Sequence, residues 1–126
     1  MKAGDELPVL EVPITATLVV AGALASRDFQ DVHHDAEVAK ASGGQDVFMN
    51  ILTTQGYVGR YVTDWAGPRA RITEMKVRLG VPMHPHDTLR LTGRVAKADG
   101  DDIEVEVMGS NALGDHVTAT VSLVMP

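Results

Sequence analysis

Between Ser26 and Asp35 the chain concentrates side chains that can move protons. These ten residues, SRDFQDVHHD, contain three aspartates, two histidines, an arginine and a serine. Asp28 and His33 are five positions apart, so a loop that folds back would bring a carboxylate and an imidazole to one water molecule. Histidine suits proton transfer to and from water because its ordinary pKa is about 6.5. The spacing alone leaves two interpretations open, acid–base chemistry or a solvated polar loop.

The bulk composition is that of one globular domain. The chain has 126 residues, of which 44% are apolar and 22% are charged, which predicts a single domain over residues 1–126. The net charge is −6 and the basic residues are scattered, so we expect no nucleic-acid partner. The chain has no cysteine, which excludes disulfides, a thiolate nucleophile and thiolate metal sites. We expect no metal.

One apolar run near the N-terminus is too short to cross a membrane. The run ITATLVVAGALAS follows a leader in which Asp5, Glu6 and Glu11 oppose only Lys2, whereas a signal peptide needs a basic leader. We therefore expect no membrane partner and a cytoplasmic location. The run predicts the first strand, roughly Ile14 to Leu24, with the SRDFQDVHHD segment leaving its end.

The C-terminal half alternates between apolar and polar residues. This period of two predicts strands with one buried face, separated by the turn signals ADGDD and LGDH. Four successive strands with short connections predict an antiparallel meander. Their inward residues are Met75, Val77, Leu79 and Val81; Leu89, Leu91 and Val95; Ile103, Val105 and Val107; and Val117, Ala119, Val121, Leu123 and Met125.

The middle of the chain has helical periodicity. Apolar residues recur at three- and four-residue steps from Phe48 to Trp65, which predicts a buried helix of about four turns. A shorter helix over Ala36 to Ala41 is expected before it, with Asp35 as its N-cap. The predicted architecture is α+β, a five-stranded antiparallel sheet wrapped around one long central helix.

The flanks of Asp28 and His33 carry a resemblance to a known family. The segment SRDFQDVHHDAEVA resembles the signature of the MaoC-like enoyl-CoA hydratases, which have the hot-dog fold. Ser26 takes the small-residue position, Asp28 the acid, Val32 the aliphatic position, His33 the base and Ala39 the trailing small residue. NILTTQG resembles the start of the family's central helix, and VRLGVPMHPHDTLRLTGRV and SNALGDHVTATVSL resemble its last strand pairs.

The resemblance implies hydration of an enoyl-CoA thioester across its 2,3 double bond. Asp28 and His33 would hold one water, with His33 as the better base and Asp28 as the group that orients the water. The backbone N–H of Asn50, at the start of the central helix, would stabilise the thioester oxygen. Coenzyme A is then part of the substrate, and no separate cofactor is expected.

The sequence departs from the family pattern at several positions. Arg27 replaces a usual Gly, Gln30 and Asp31 replace Asn-Pro, and Met49 and Asn50 replace His-Gly. In the stretches RDFQDVHHD, NILT, RYVTDWAG and LGDHVTATV the chain resembles one branch of the family. That branch is the small catalytic subunit of a heteromeric hydratase in bacterial steroid (cholesterol) side-chain degradation. That resemblance implies a larger MaoC-like partner subunit, with a link to a downstream aldolase as a further expectation.

Two other interpretations stay open at this point. One is a homodimeric R-specific enoyl-CoA hydratase acting on ordinary acyl chains. The other is a hot-dog module without catalysis that binds acyl-CoA or supports a partner. Retention of both Asp28 and His33 argues against the second. The residues alone do not identify the acyl group.

Overall fold

Five strands form one antiparallel sheet, and a long helix packs against one of its faces. The computed structural model describes all residues, Met1–Pro126. Along the sheet the strand order is β1-β3-β4-β5-β2. The elements are β1 (Glu6–Pro13), α1 (Ala16–Ala25), a 3-10 turn (Asp31–His33), α2 (Ala36–Ala41), α3 (Ile51–Ala66), β2 (Arg71–Leu79), β3 (Thr88–Asp99), β4 (Asp102–Asn111) and β5 (Gly114–Val124).

The central helix α3 buries one stripe of its surface. Thr54, Val58, Tyr61 and Val62 are its buried residues, and their spacing places them on one face of a helix with 3.6 residues per turn. The three apolar members join a core cluster of 20 buried residues that also takes in side chains from β1, β3, β4 and β5. Burial of this stripe fixes α3 on the sheet.

Tyr61 ties the helix to the edge strand β1. Its hydroxyl donates to the Pro8 carbonyl oxygen at 2.7 Å, and burial raises the pKa of Tyr61. The ring lies close to β3 because Gly93 has no side chain, since an added Cβ there would be 3.0 Å from Tyr61 Cε2. These contacts of Tyr61 with β1 and β3 set the position of α3 on the sheet.

Most of the predicted architecture is confirmed. The sheet has five antiparallel strands, the long helix lies in the middle of the chain, and α2 spans Ala36–Ala41. Asp35 is the N-cap of α2, and its carboxylate accepts from the N–H groups of Glu37 and Val38 at 3.1 and 3.3 Å. No helix is long and apolar enough to cross a membrane.

The predicted first strand over Ile14 to Leu24 is wrong, because most of that run is the helix α1. Thr15 caps this helix by accepting from the Leu18 N–H at 3.0 Å, and Val19 and Ala23, four residues apart, are its buried residues. The outward side chains are also apolar, so the helical period was hidden in the sequence. The first strand is β1 (Glu6–Pro13), whose Pro8 and Pro13 suit an edge strand.

The predicted four-strand meander is wrong in one pairing. β3, β4 and β5 follow one another through hairpins, but β2 pairs with β5 on the far side of the sheet rather than with its successor β3. The alternating pattern identifies a strand and its buried face, and it does not specify the partner. β1 and β2 are therefore the two edges of the sheet.

Candidate active site

The C-terminus of α1 positions Asp28. The Arg27 N–H donates to the Leu24 carbonyl at 3.0 Å and the Asp28 N–H donates to the Ala23 carbonyl at 2.9 Å. This pair of bonds is the Schellman motif, in which the residue after the cap adopts a left-handed backbone. Arg27 does so, with φ of 58°. Asp28 is thus held by the end of a helix and does not leave the end of a strand.

The 3-10 turn and the approach to α3 position His33. Its Nδ1 lies 2.7 Å from the Phe48 carbonyl oxygen, and its ring meets the Phe48 ring edge-on at a centroid distance of 5.0 Å. The residue is only 5% exposed. Because a carbonyl oxygen can only accept, Nδ1 carries the hydrogen, and Nε2 of the neutral ring has a free lone pair.

Asp28 and His33 face one another across a short gap. His33 Nε2 is 3.3 Å from Asp28 Oδ2, and the Asp28 side chain is 21% exposed. That distance is longer than the 2.7–2.9 Å or so of a strong charge-assisted hydrogen bond. With Asp28 ionised and His33 neutral, both atoms are acceptors, so a shared donor such as water satisfies both. The arrangement can hold a water, orient it and take its proton.

Asn50 begins the central helix beside this pair. It is 2% exposed, and its side-chain oxygen caps α3 by accepting from the Thr53 N–H at 3.2 Å. Its own backbone N–H donates to no backbone carbonyl. A free N–H at a helix N-terminus, next to the positive end of the helix dipole, can donate to an oxygen that gains negative charge.

The structure brings the three predicted site residues together, and it adds contacts that the sequence did not indicate. The Asn50 Nδ2 lies 2.9 Å from Ser26 Oγ and 3.2 Å from Asp28 Oδ2. At Asn50 only the backbone N–H was predicted to act. The family pattern has glycine at this position, so the resemblance assigns no role to a side chain there. The bonded network includes Thr53, whose hydroxyl donates to Asn50 Oδ1.

The neighbouring acid and histidine stay outside the pair. His34 Nε2 lies 3.5 Å from Asp31 Oδ1, and both side chains are exposed by a third or more. Gln30 contributes its backbone N–H, which lies 3.3 Å from Asp28 Oδ1. No group of three or more His, Asp or Glu side chains in the chain is arranged to hold a metal ion.

Comparison with known proteins identifies the family. A family model described as "MaoC like domain" matches residues 3–115. The chain belongs to the MaoC-like domain family. This MaoC-like domain is 53% identical over 122 residues to the 3-oxo-4,17-pregnadiene-20-carboxyl-CoA hydratase beta subunit of Mycobacterium tuberculosis, a match that covers 97% of this chain and 95% of that protein.

Solved structures agree with the fold. A chain of the ChsH1-ChsH2 complex from Mycobacterium tuberculosis superposes on this MaoC-like domain with a TM-score of 0.96 and 52% identity, and the match covers 98% of both chains. The R-hydratase PhaJ1 of Pseudomonas aeruginosa has a TM-score of 0.90 at 17% identity, over all of this chain and 83% of that one. The second likeness shows the fold alone.

The MaoC-like domain keeps a strained residue where the family pattern has glycine. Arg27 is left-handed at φ of 58°, a conformation that costs a side-chain-bearing residue about 1–2 kcal/mol. Glycine adopts it freely but loses more entropy on folding, about 0.5–1 kcal/mol.

We predict that Arg27→Gly raises the free energy of unfolding by about 0.5–1 kcal/mol. Urea unfolding followed by Trp65 fluorescence measures this, with Arg27→Ala as a control that removes the same side chain but keeps the strain. Equal stability of the two variants would refute the strain.

A second buried histidine in the MaoC-like domain supports the first turn of α3. His116 is 2% exposed, its Nδ1 donates to the Val81 carbonyl at 2.7 Å, and its Nε2 lies 2.9 Å from Thr54 Oγ1. Since Nδ1 carries the hydrogen, Nε2 accepts from the Thr54 hydroxyl. Sequence reasoning missed His116, because the LGDH segment was interpreted as a turn between strands, whereas the structure places His116 within β5.

We predict that His116 makes the MaoC-like domain less stable in mild acid. Burial lowers the pKa of His116, and the hydrogen bond to Val81 opposes this in part. Below its ordinary pKa of about 6.5 the unfolded chain binds a proton that the folded chain does not, so this contribution is present above pH 6.5 or so and is lost as the pH falls toward the folded pKa. Between pH 7.5 and pH 5.5 the free energy of unfolding should therefore fall more for the native chain than for the His116→Gln variant. An equal fall in both would exclude this role.

Proposed function

We propose that this chain is the catalytic subunit of a heteromeric enoyl-CoA hydratase that acts on a steroid side-chain CoA thioester. The observation that carries the proposal is the Asp28–His33 pair, held 3.3 Å apart beside the N-terminus of α3. The chain that carries this pair is 53% identical, over 97% of its length, to a mycobacterial hydratase beta subunit. A cytoplasmic location and the lack of a separate cofactor stay predictions of the sequence.

The proposed reaction begins with one water held by both side chains. His33 Nε2 takes a proton from the water as its oxygen bonds to C3 of the enoyl thioester. The electron pair of the C2–C3 double bond moves toward the thioester carbonyl and gives an enolate. His33 can act as this base because the Phe48 carbonyl, 2.7 Å from Nδ1, holds the hydrogen on the other nitrogen.

The proposed second step returns a proton to C2. The enolate oxygen lies at the N-terminus of α3, where the Asn50 backbone N–H donates to it and the helix dipole favours its charge. The pair delivers the proton to C2 with Asp28 as the orienting group, so the elements of one water have been added. Because both transfers come from one side of the substrate, hydroxyl and hydrogen add to the same face.

A larger MaoC-like partner fits the free edge of the sheet. β1 is blunted by two prolines, whereas β2 offers nine residues without proline and has partly buried apolar residues on its helix side. An open strand of this kind is a template for a strand of another chain. Ile51 and Leu52, at 42% and 47% exposure, leave apolar surface at the start of α3. We therefore place the partner along β2 and beside α3. The aldolase link stays a prediction.

The function is tested by comparing this chain alone with the complex that it forms when it is co-purified with its larger MaoC-like partner. Each is given 3-oxo-4,17-pregnadiene-20-carboxyl-CoA and, separately, a straight-chain enoyl-CoA, and loss of the conjugated thioester absorbance is followed. We expect hydration of the steroid thioester by the complex and little by the chain alone, because the substrate site would be completed by the partner.

The other interpretations give different results in the same assay. Efficient hydration of straight-chain enoyl-CoA by the chain alone would replace the proposal with a homodimeric hydratase. Inactivity of the complex on both thioesters, combined with tight binding of either one, would indicate an acyl-CoA-binding subunit without catalysis.

A further inference from the structure

The carboxamide of Asn50 joins the two helix ends that form the site. Its Nδ2 lies 2.9 Å from Ser26 Oγ, at the end of α1, and 3.2 Å from Asp28 Oδ2. Its Oδ1 lies 3.2 Å from the Thr53 N–H, in the first turn of α3. The residue is 2% exposed. One side chain thus contacts both the acid of the pair and the first turn of α3.

The hydrogen-bond partners determine which way this amide faces. The Thr53 N–H can only donate, so the atom that it meets is the Asn50 oxygen. Ser26 Oγ donates its hydrogen to the Gly22 carbonyl at 2.7 Å, and it therefore accepts from Asn50 Nδ2. The NH₂ group has two hydrogens, so the second is available to Asp28.

This donor reaches the Asp28 oxygen that faces His33. Oδ2 is shared between Asn50 Nδ2 at 3.2 Å and His33 Nε2 at 3.3 Å, while Oδ1 lies 3.3 Å from the Gln30 N–H. Each carboxylate oxygen thus has its own donor from the chain, and rotation about the Cβ–Cγ bond would break both contacts.

We propose that the Asn50 side chain is a positioning residue for hydration, which holds the Asp28 carboxylate turned toward His33. The inference rests on the proposed function and deepens it. The role is separate from helix capping, because capping uses Oδ1 and positioning uses Nδ2. Glycine, the usual residue of the family pattern, supplies the backbone N–H but neither side-chain contact.

Two substitutions separate capping from positioning. Asn50→Ser keeps a good N-cap but replaces the NH₂ group, which contacts both Ser26 and Asp28, with one hydroxyl on a shorter side chain. Thr15→Ala removes the N-cap of α1, where Thr15 Oγ1 accepts from the Leu18 N–H at 3.0 Å, and leaves the site network intact. In the complex we expect Asn50→Ser to lower kcat roughly tenfold or more, with KM within about twofold. Thr15→Ala should keep the native kcat and lower only the thermal midpoint.

A pH profile supplies a readout that a purely structural role would not move. Asn50→Asp keeps the cap and places a second carboxylate beside Asp28. We expect the acidic limb of its kcat/KM profile to move to higher pH, because like charges disfavour ionisation of the pair. Native kcat in Asn50→Ser together with an unmoved limb in Asn50→Asp would overturn the positioning role while the native complex stays active. Inactivity of the native complex would instead overturn the proposed function, and the inference with it.

Discussion

Asp28→Asn and His33→Ala are each expected to lower kcat/KM for hydration by about 10²–10⁴-fold, the usual contribution of a positioned acid or base. Asn at position 28 cannot carry the negative charge that orients the water beside His33. Ala at position 33 removes Nε2, the lone pair that takes the proton. The measurement is steady-state hydration of the steroid enoyl-CoA by the complex, with circular dichroism to establish that each variant is folded.

The chain supplies a matched control for these substitutions. Asp31 and His34, from the same segment, form a similar contact of 3.5 Å, but both are exposed. Asp31→Asn and His34→Ala should therefore keep kcat/KM within about twofold, since surface substitutions away from special features have small effects. Near-native turnover in Asp28→Asn or His33→Ala, or an equal loss in the control pair, would remove the site assignment.

Gly22→Ala is expected to damage both stability and activity, because α1 passes α3 at this residue. An added Cβ would overlap Thr53 Oγ1 and lie 2.9 Å from its Cγ2. Thr53 cannot turn aside without losing its hydrogen bond to Asn50 Oδ1. Overpacking of this kind costs about 1–3 kcal/mol, and displacement of Asp28 relative to Asn50 should lower kcat/KM tenfold or more, since an error of about 1 Å in placement costs up to about 100-fold.

Gly56→Ala is the matched control for this substitution. Gly56 also lies inside a helix, but an added Cβ there has nothing within 4 Å. Alanine should raise the free energy of unfolding by about 1 kcal/mol through helix propensity alone and keep kcat in the complex. Thermal unfolding and turnover of both variants decide the matter. Native activity and stability in Gly22→Ala would contradict the close helix contact.

The acid–base pair could be predicted from the sequence because its residues lie close together in the chain. Asp28 and His33 are joined by a segment whose geometry is mostly local, formed by a helix C-cap and a 3-10 turn. The helix α2 was predicted for the same reason, since Asp35 caps it through its own neighbours. Strands β2 to β5 were visible because their buried faces alternate with a period of two.

The remaining features depend on contacts between distant parts of the chain. In the run from Ile14 to Leu24 apolar residues occupy every face, so the sequence did not distinguish a strand from α1, and tertiary packing of Val19 and Ala23 selected the helix. The strand β1 was hidden by its prolines, which an edge position tolerates. The pairing of β2 with β5 joins residues that are 38 positions apart at Leu79 and Val117 and 53 apart at Arg71 and Val124, and it has no local signal.

The side-chain role of Asn50 illustrates the same limit within the site. Its partners Ser26 and Asp28 lie 24 and 22 positions earlier in the chain. In the sequence Asn50 is a departure from the usual glycine, and only the approach of α1 to α3 gives its NH₂ group a carboxylate to bind.

The stereochemistry of hydration tests whether one water serves both steps. The complex is incubated with the steroid enoyl-CoA in D₂O, and the relative configuration of the new hydroxyl and deuterium is determined by NMR. Because Asp28 and His33 lie on one side of the bound substrate in this mechanism, we expect syn addition. Anti addition would require the water oxygen and the proton to reach opposite faces of the double bond, and it would contradict a mechanism in which the Asp28–His33 pair acts on a single water.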